Sequence, residues 1–186
     1  VAKLLDTTDP LERSILLDEL KSAEEVTDKY EIEIANYLTE LAKEEMSPNT
    51  SVRVRGLLTA ANDLEKIGDI YYQIAMNLEN KNTKKVYFVP KQRQNLKRMC
   101  LLLEDAFDTM LENLDDSAEM VTLEKARSKE EAINQLRNEL RNKHLKDIGK
   151  GRYSLESGLF YSDTFTAMEE IADHIISVSE GLAGKF

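Results

Sequence analysis

The most constraining feature is an apolar residue every three or four positions, kept up over stretches far longer than any strand. Leu16, Leu20, Ala23, Thr27, Tyr30, Ile34, Tyr37 and Leu41 alternate spacings of four and three. Val54, Leu57, Ala61, Leu64, Gly68, Tyr71, Ala75 and Leu78 repeat the pattern. So do Leu96, Met99, Leu103, Phe107, Met110 and Leu114, and then Ile133, Leu136 and Leu140. Residues so spaced line one stripe of an α-helix. Only 7 glycines and 3 prolines punctuate the 186 residues, too few turn formers for a sheet-rich fold.

The breaks fall between these stripes. Asp9-Pro10 reads as an N-cap followed by proline at the first helical position. Ser47-Pro48-Asn49-Thr50 ends the first helix, and the second is expected from about Ser51 to Leu78. Residues 81–90 are polar and end in Pro90, so they read as a linker between a first half, 1–80, and a second half, 91–186. A third helix follows Pro90, a fourth spans about Leu123 to Ile148 before Gly149-Lys150-Gly151, and a last runs from about Leu155 to Leu182. The chain opens at Val1 without a methionine, and Val1 to Asp6 has no evident structural context, as expected of a piece of a longer protein.

With 41% hydrophobic and 32% charged residues the chain has the composition of a globular domain. Its net charge of −10 argues against nucleic acid and anionic lipid as general partners, and allows cations. No stretch approaches the roughly 20 apolar residues of a membrane span. The single cysteine, Cys100, cannot close an internal disulfide, which points to a reducing compartment.

The halves repeat. Glu65-Lys-Ile-Gly-Asp69 matches Glu169-Glu-Ile-Ala-Asp173 at an offset of 104 residues, and each follows an acidic helix, Glu25-Val-Thr-Asp28 in one case and Glu131-Ala-Ile-Asn134 in the other. Two related helical bundles are the simplest reading. Residues four apart share a helix face, so Glu65 and Asp69 point one way, joined by Asn62, and Glu169 and Asp173 form a second pair. Glu24, Asp28 and Glu31 flank the first helix's seam in the same manner. Carboxylates partly buried beside a seam need an offset: a basic partner, a raised pKa or a bound cation. Oxygen-only ligand sets suit hard cations such as magnesium, calcium, manganese or iron. Against this stands the plain alternative that an E-x-x-x-D in an acidic helix is a solvated face.

The run from Leu64 to Leu78, Leu64-Glu-Lys-Ile-Gly-Asp-Ile-Tyr-Tyr-Gln-Ile-Ala-Met-Asn-Leu78, resembles the signature helix of the PhoU family, and Met168-Glu-Glu-Ile-Ala-Asp-His174 resembles it again. Glu25-Val-Thr-Asp28-Lys-Tyr-Glu31 looks like the family's preceding helix. The resemblance implies an all-α fold of two similar antiparallel helical bundles, the first lacking most of its first helix here. It implies metal ions held by the E-x-x-x-D carboxylates, and the ligands expected for a divalent or trivalent ion (iron, zinc, magnesium or similar) are Asp28, Asn62, Glu65 and Asp69, then Glu169 and Asp173 at a second site. The second half carries Asn134 where the first has Asp28 and Arg137 where the first has Glu31, so its site is expected to be weaker. The implied role is regulation of phosphate transport from the cytoplasmic side of the bacterial inner membrane. The implied partner is the membrane-embedded portion of a sodium/phosphate cotransporter in the same chain, with a second copy as a further candidate.

Other residues give blander readings. Glu170 and His174 are four apart, not the Glu-x-x-His of di-iron carboxylate proteins. His144, among Asn142, Lys143 and Lys146, reads as a surface residue, Cys100 as core, and the methionines and Tyr71 and Tyr72 as packing. Arg53 and Arg55 read first as partners of the excess carboxylates and second as phosphate ligands near a helix start. No nucleophile–base pair can be placed, so an enzyme is not expected. The competing functional reading is a metal-free helical interaction or oligomerisation module whose acidic stripes bind a basic partner.

Overall fold

A computed structural model describes residues 1–115, 121 and 123–185. Five helices account for nearly all of it: α1 (Pro10–Leu41), α2 (Pro48–Thr83), α3 (Pro90–Asp115), α4 (Leu123–Gly149) and α5 (Leu155–Leu182). No strand occurs among the described residues. The three prolines open α1, α2 and α3, where the missing N–H costs nothing. Asp9, Ser47 and Ser154 cap α1, α2 and α5 by accepting from the amides of Leu11, Thr50 and Ser157. α2 continues to Thr83, past the expected start of the linker, because neither glycine nor proline stops it. Residues 84–89 then join the halves.

α3, α4 and α5 pack pairwise as a three-helix bundle, α2 lies along α5, and α1 packs on α2 alone among the helices. α2 and α5 are therefore the central pair, and their crossing is close. A Cβ added to Gly181 of α5 would stand 2.9 Å from the carbonyl oxygen of Gly56 in α2. The core runs through Ile67, Ile70, Ile74, Leu96, Met99, Leu103, Ile133, Leu140, Phe165, Met168 and Ile171, as the spacing predicts for α3 and α4. Leu4 and Leu5 are buried in the same core, so the first six residues do have a structural role, contrary to the sequence reading.

The larger correction concerns α1. Its upper seam holds, with Leu16 and Leu20 against the core. Its lower seam does not: Tyr30 (59%), Ile34 (37%), Tyr37 (70%) and Leu41 (39%) are exposed. The face turned to α2 carries Glu24, Thr27, Asp28, Glu31, Ala35 and Leu38 instead. The repeat supplies the reason. Leu136 and Leu140 of α4 hold the positions that match Tyr30 and Ile34, and they are buried in a bundle that includes α3. Among the described residues nothing does for α1 what α3 does for α4.

His144 is a second correction. It is buried, not superficial, with Nδ1 3.0 Å from the Tyr153 hydroxyl and its ring against Tyr153, Tyr161 and Phe165. Burial lowers its pKa, so the neutral ring is the favoured form. The adjacent Tyr161 hydroxyl is pushed up to about 12 by the same cause. Cys100 is buried, and burial raises its thiol pKa away from the reactive thiolate.

Candidate metal centre

The first E-x-x-x-D motif lies on the middle of α2, facing the polar stripe of α1. Gly68 sets the distance between the helices: a Cβ there would overlap Thr27 Oγ1 of α1. Thr27 Oγ1 donates to the Glu24 carbonyl at 2.8 Å, so its hydroxyl is committed within its own helix. This close approach brings Glu24 and Asp28 of α1 to Asp69 of α2, and one carboxylate oxygen from each lies within 4.8 Å of the other two. All three are half-buried. Two unit charges about 4 Å apart repel by about 1 kcal/mol in water and about 4 kcal/mol at an effective dielectric constant of 20.

Counter-charge within the protein is thin. Lys66 donates to Asp69 (3.4 Å) and pairs with Glu65 (2.9 Å), but its side chain is 45% exposed. Glu65 is thereby tied to the cation next to it in the chain. Asp28 Oδ1 is fully enclosed and has no hydrogen-bond partner among the described residues. The Glu24 carboxyl is pushed above the usual carboxylate range by desolvation, then by the neighbouring Asp28 and Asp69 charges. An enclosed acceptor without a donor, among three converging carboxylates, offers the kind of oxygen donors a hard cation takes. The residues therefore fit a metal ion.

Of the expected ligands, the structure brings Asp28 and Asp69 together, places Glu65 beside them through Lys66, and leaves Asn62 exposed one turn earlier on α2. Glu24 belongs to the cluster without being among the expected ligands, although its position one turn before Asp28 puts both on one face.

The second half builds the same arrangement differently. Glu130, Asn134 and Arg137 of α4 stand where α1 has Glu24, Asp28 and Glu31, facing Glu169 and Asp173 of α5. Arg137 Nη2 donates to Glu169 Oε1 at 2.5 Å and to Asn134 Oδ1 at 3.5 Å, and Asn134 donates to Glu130. The pair is largely enclosed, with side chains 24% and 14% exposed. Burial raises the carboxyl pKa of both Glu130 and Asp173, and Arg137 partly offsets it at Asp173. A guanidinium thus lies among the carboxylates of the second cluster.

Between the two clusters, Asp63 of α2 is buried and accepts from His174 Nδ1 (2.8 Å) and from Ser177 Oγ of α5. Sequence reading missed this clamp. Its signal was available, because Asp63 falls in register with Ala60, Ile67, Ile70 and Ile74, on the face turned to α5. His174 is engaged here, not in a carboxylate–histidine metal pair with Glu170.

No helix among the described residues is long and apolar enough to cross a membrane. Neither a curated protein nor a solved structure matches the chain. A family model does: the PhoU domain matches residues 10–78 and 96–182, which takes in both E-x-x-x-D helices and the acidic helix before each. With most of its length covered by two matches, one per half, the chain belongs to the PhoU domain family.

Proposed function

We propose that this chain is a regulatory domain of a sodium/phosphate cotransporter, on the cytoplasmic side of a bacterial inner membrane, and that it binds a divalent or trivalent cation between α1 and α2. PhoU domains in general are helical regulators of phosphate transport. The observation that carries the metal reading is the enclosed, partnerless Asp28 Oδ1 among the carboxylates of Glu24, Asp28 and Asp69. Glu65 and Asn62 are the adjoining oxygen donors on α2. A bound ion would supply the positive charge that lets the three carboxylates stay ionised side by side.

The regulatory consequence follows from the packing. Among the described residues α1 has no helical neighbour except α2, and the lower part of that contact is polar. Neutralising the cluster would hold α1 down, and emptying it would loosen α1 while the α3–α4–α5 bundle stays intact. In the second half Arg137 takes the cation's part beside Glu169 and Asp173, so the first cluster is the one that responds to metal. Elemental analysis of the purified protein, before and after chelation, tests this. Metal should be lost with the double substitution Asp28→Asn, Asp69→Asn, and unchanged metal content in that variant would sink the assignment.

One observation favours the second reading, a metal-free interaction module: the exposed stripe of Tyr30, Ile34, Tyr37 and Leu41 on an acidic helix. That reading predicts melting indifferent to chelation and partner binding that weakens as salt rises.

A further inference from the structure

We propose that the junction of the two halves is an anion site, built to take the phosphate group of a small molecule. Four separate segments of the chain meet there. The N-terminal turn, the first turn of α1, the end of α2 and the start of α3 enclose a cavity of about 390 Å³, within the range of small-ligand sites, about 300–1,000 Å³. In a protein of net charge −10, this cavity is lined by Arg13, Lys81, Lys85 and Arg93 and by one acidic residue, Asp6, which is paired with Lys97.

Lys81 is the anchor. It is only 8% exposed, yet among the described residues its ammonium forms no ion pair. It donates to Asn82 Oδ1 (2.8 Å) and the Val86 carbonyl (3.2 Å) and lies 4.8 Å from the centre of the Phe88 ring. Burial, then the nearby Arg93 and Arg13 charges, lower its pKa, and the Glu79 carboxylate, already paired with Arg13, offsets this only in part. A buried ammonium gathered with like charges is costly unless an anion joins them. Lys85 and Arg93 are exposed and likewise form no ion pair among the described residues. Lys85 also holds a left-handed backbone, φ 56°, a conformation that costs energy in a non-glycine residue.

Arg13 has a different task. It pairs with Glu79 (3.0 Å) and donates to the Thr8 carbonyl (2.8 Å), which fixes the N-terminal turn over the cavity. Tyr87, 73% exposed on the rim, offers a ring face to a base or another flat group attached to the phosphate. The matching oxygen chemistry could come from free phosphate or from the phosphate tail of a nucleotide, and both carry enough charge to engage Lys81, Lys85 and Arg93 together.

The test is calorimetric titration of the protein with inorganic phosphate, pyrophosphate and ATP, in chelator so that the carboxylate cluster plays no part, with sodium chloride at matched ionic strength as control. Binding should occur and should weaken about 10-fold or more in Lys85→Gln, Arg93→Gln, the loss expected when charged hydrogen bonds are removed. Both residues are surface-exposed, so the variant should fold, and circular dichroism checks that. Lys81→Met should abolish binding. Equal affinity for phosphate and ATP assigns the site to the oxyanion alone, and tighter ATP binding adds a role for Tyr87. Absence of binding by all three anions, or affinity untouched by the double substitution, overturns the proposal.

Discussion

Replacing Arg137 by methionine keeps most of the side chain's apolar bulk and removes its charge. The structure sets the size of the effect. Arg137 and Glu169 are 24% and 14% exposed, and their contact is short. Removing one partner of a fully buried ion pair costs about 3–5 kcal/mol, because the other charge stays behind. With roughly a fifth of each side chain open to solvent, the cost falls to or just below the bottom of that range, about 2–3 kcal/mol. For a chain of this size each kcal/mol lowers the melting temperature by about 2–4 °C, so a fall of about 5–10 °C is expected. Most of that loss is the burden of Glu169 left among Glu130 and Asp173, so adding Glu169→Gln to Arg137→Met should recover more than half of it. Millimolar manganese should also recover it, since the freed carboxylates then need another cation. Thermal melting followed by circular dichroism, with and without chelator, reads all three effects. A melting temperature unchanged by Arg137→Met, or a loss that Glu169→Gln does not relieve, would refute the idea that the guanidinium is the second cluster's counter-ion.

Gly68→Ala gains about 1 kcal/mol of helix propensity but drives a methyl into Thr27 Oγ1, an overpacking cost of about 1–3 kcal/mol, so a net loss is expected in urea denaturation. Thr27→Ala in the same chain should remove it. Gly181→Ala meets the Gly56 backbone instead, 2.9 Å away, and no side-chain change should rescue it. The Asp173 carboxyl has a raised pKa in the fold, so the folded protein holds that proton longer than the unfolded chain does. The stability this gives is present below the ordinary aspartate value of 3.8 and is lost as pH rises through the raised one. Denaturation at both ends of that window should show Asp173→Asn more stable relative to the parent at the high-pH end.

The helices were legible because their signals are local. Apolar spacing, the prolines and the caps fixed the elements, and α5 spans Leu155–Leu182 as expected from the sequence. The repeat of Glu65–Asp69 in Glu169–Asp173 pointed to two matching carboxylate clusters, and matched family regions cover both. What failed was non-local. Hydropathy ranks the Tyr30–Ile34–Tyr37 stripe as the buried face of α1, yet α1 meets α2 through Glu24, Thr27 and Asp28, a choice that depends on which neighbours exist. His144 sits in a polar stretch and is buried by Tyr153 and Tyr161, which come later in the chain. The replacement of Glu31 by Arg137 was visible as a lost ligand, but not as a gained cation. The cavity around Lys81 is assembled from four separate segments, so no window of sequence contains it.

Diffraction from crystals grown with manganese, collected near its absorption edge, reads the metal assignment without inference. A single anomalous peak bounded by Glu24, Asp28 and Asp69, with none beside Arg137, is the expected map. An empty first cluster, or density among Glu130, Glu169 and Asp173 instead, would mean that these carboxylates are a solvated face and that the proposed centre does not exist.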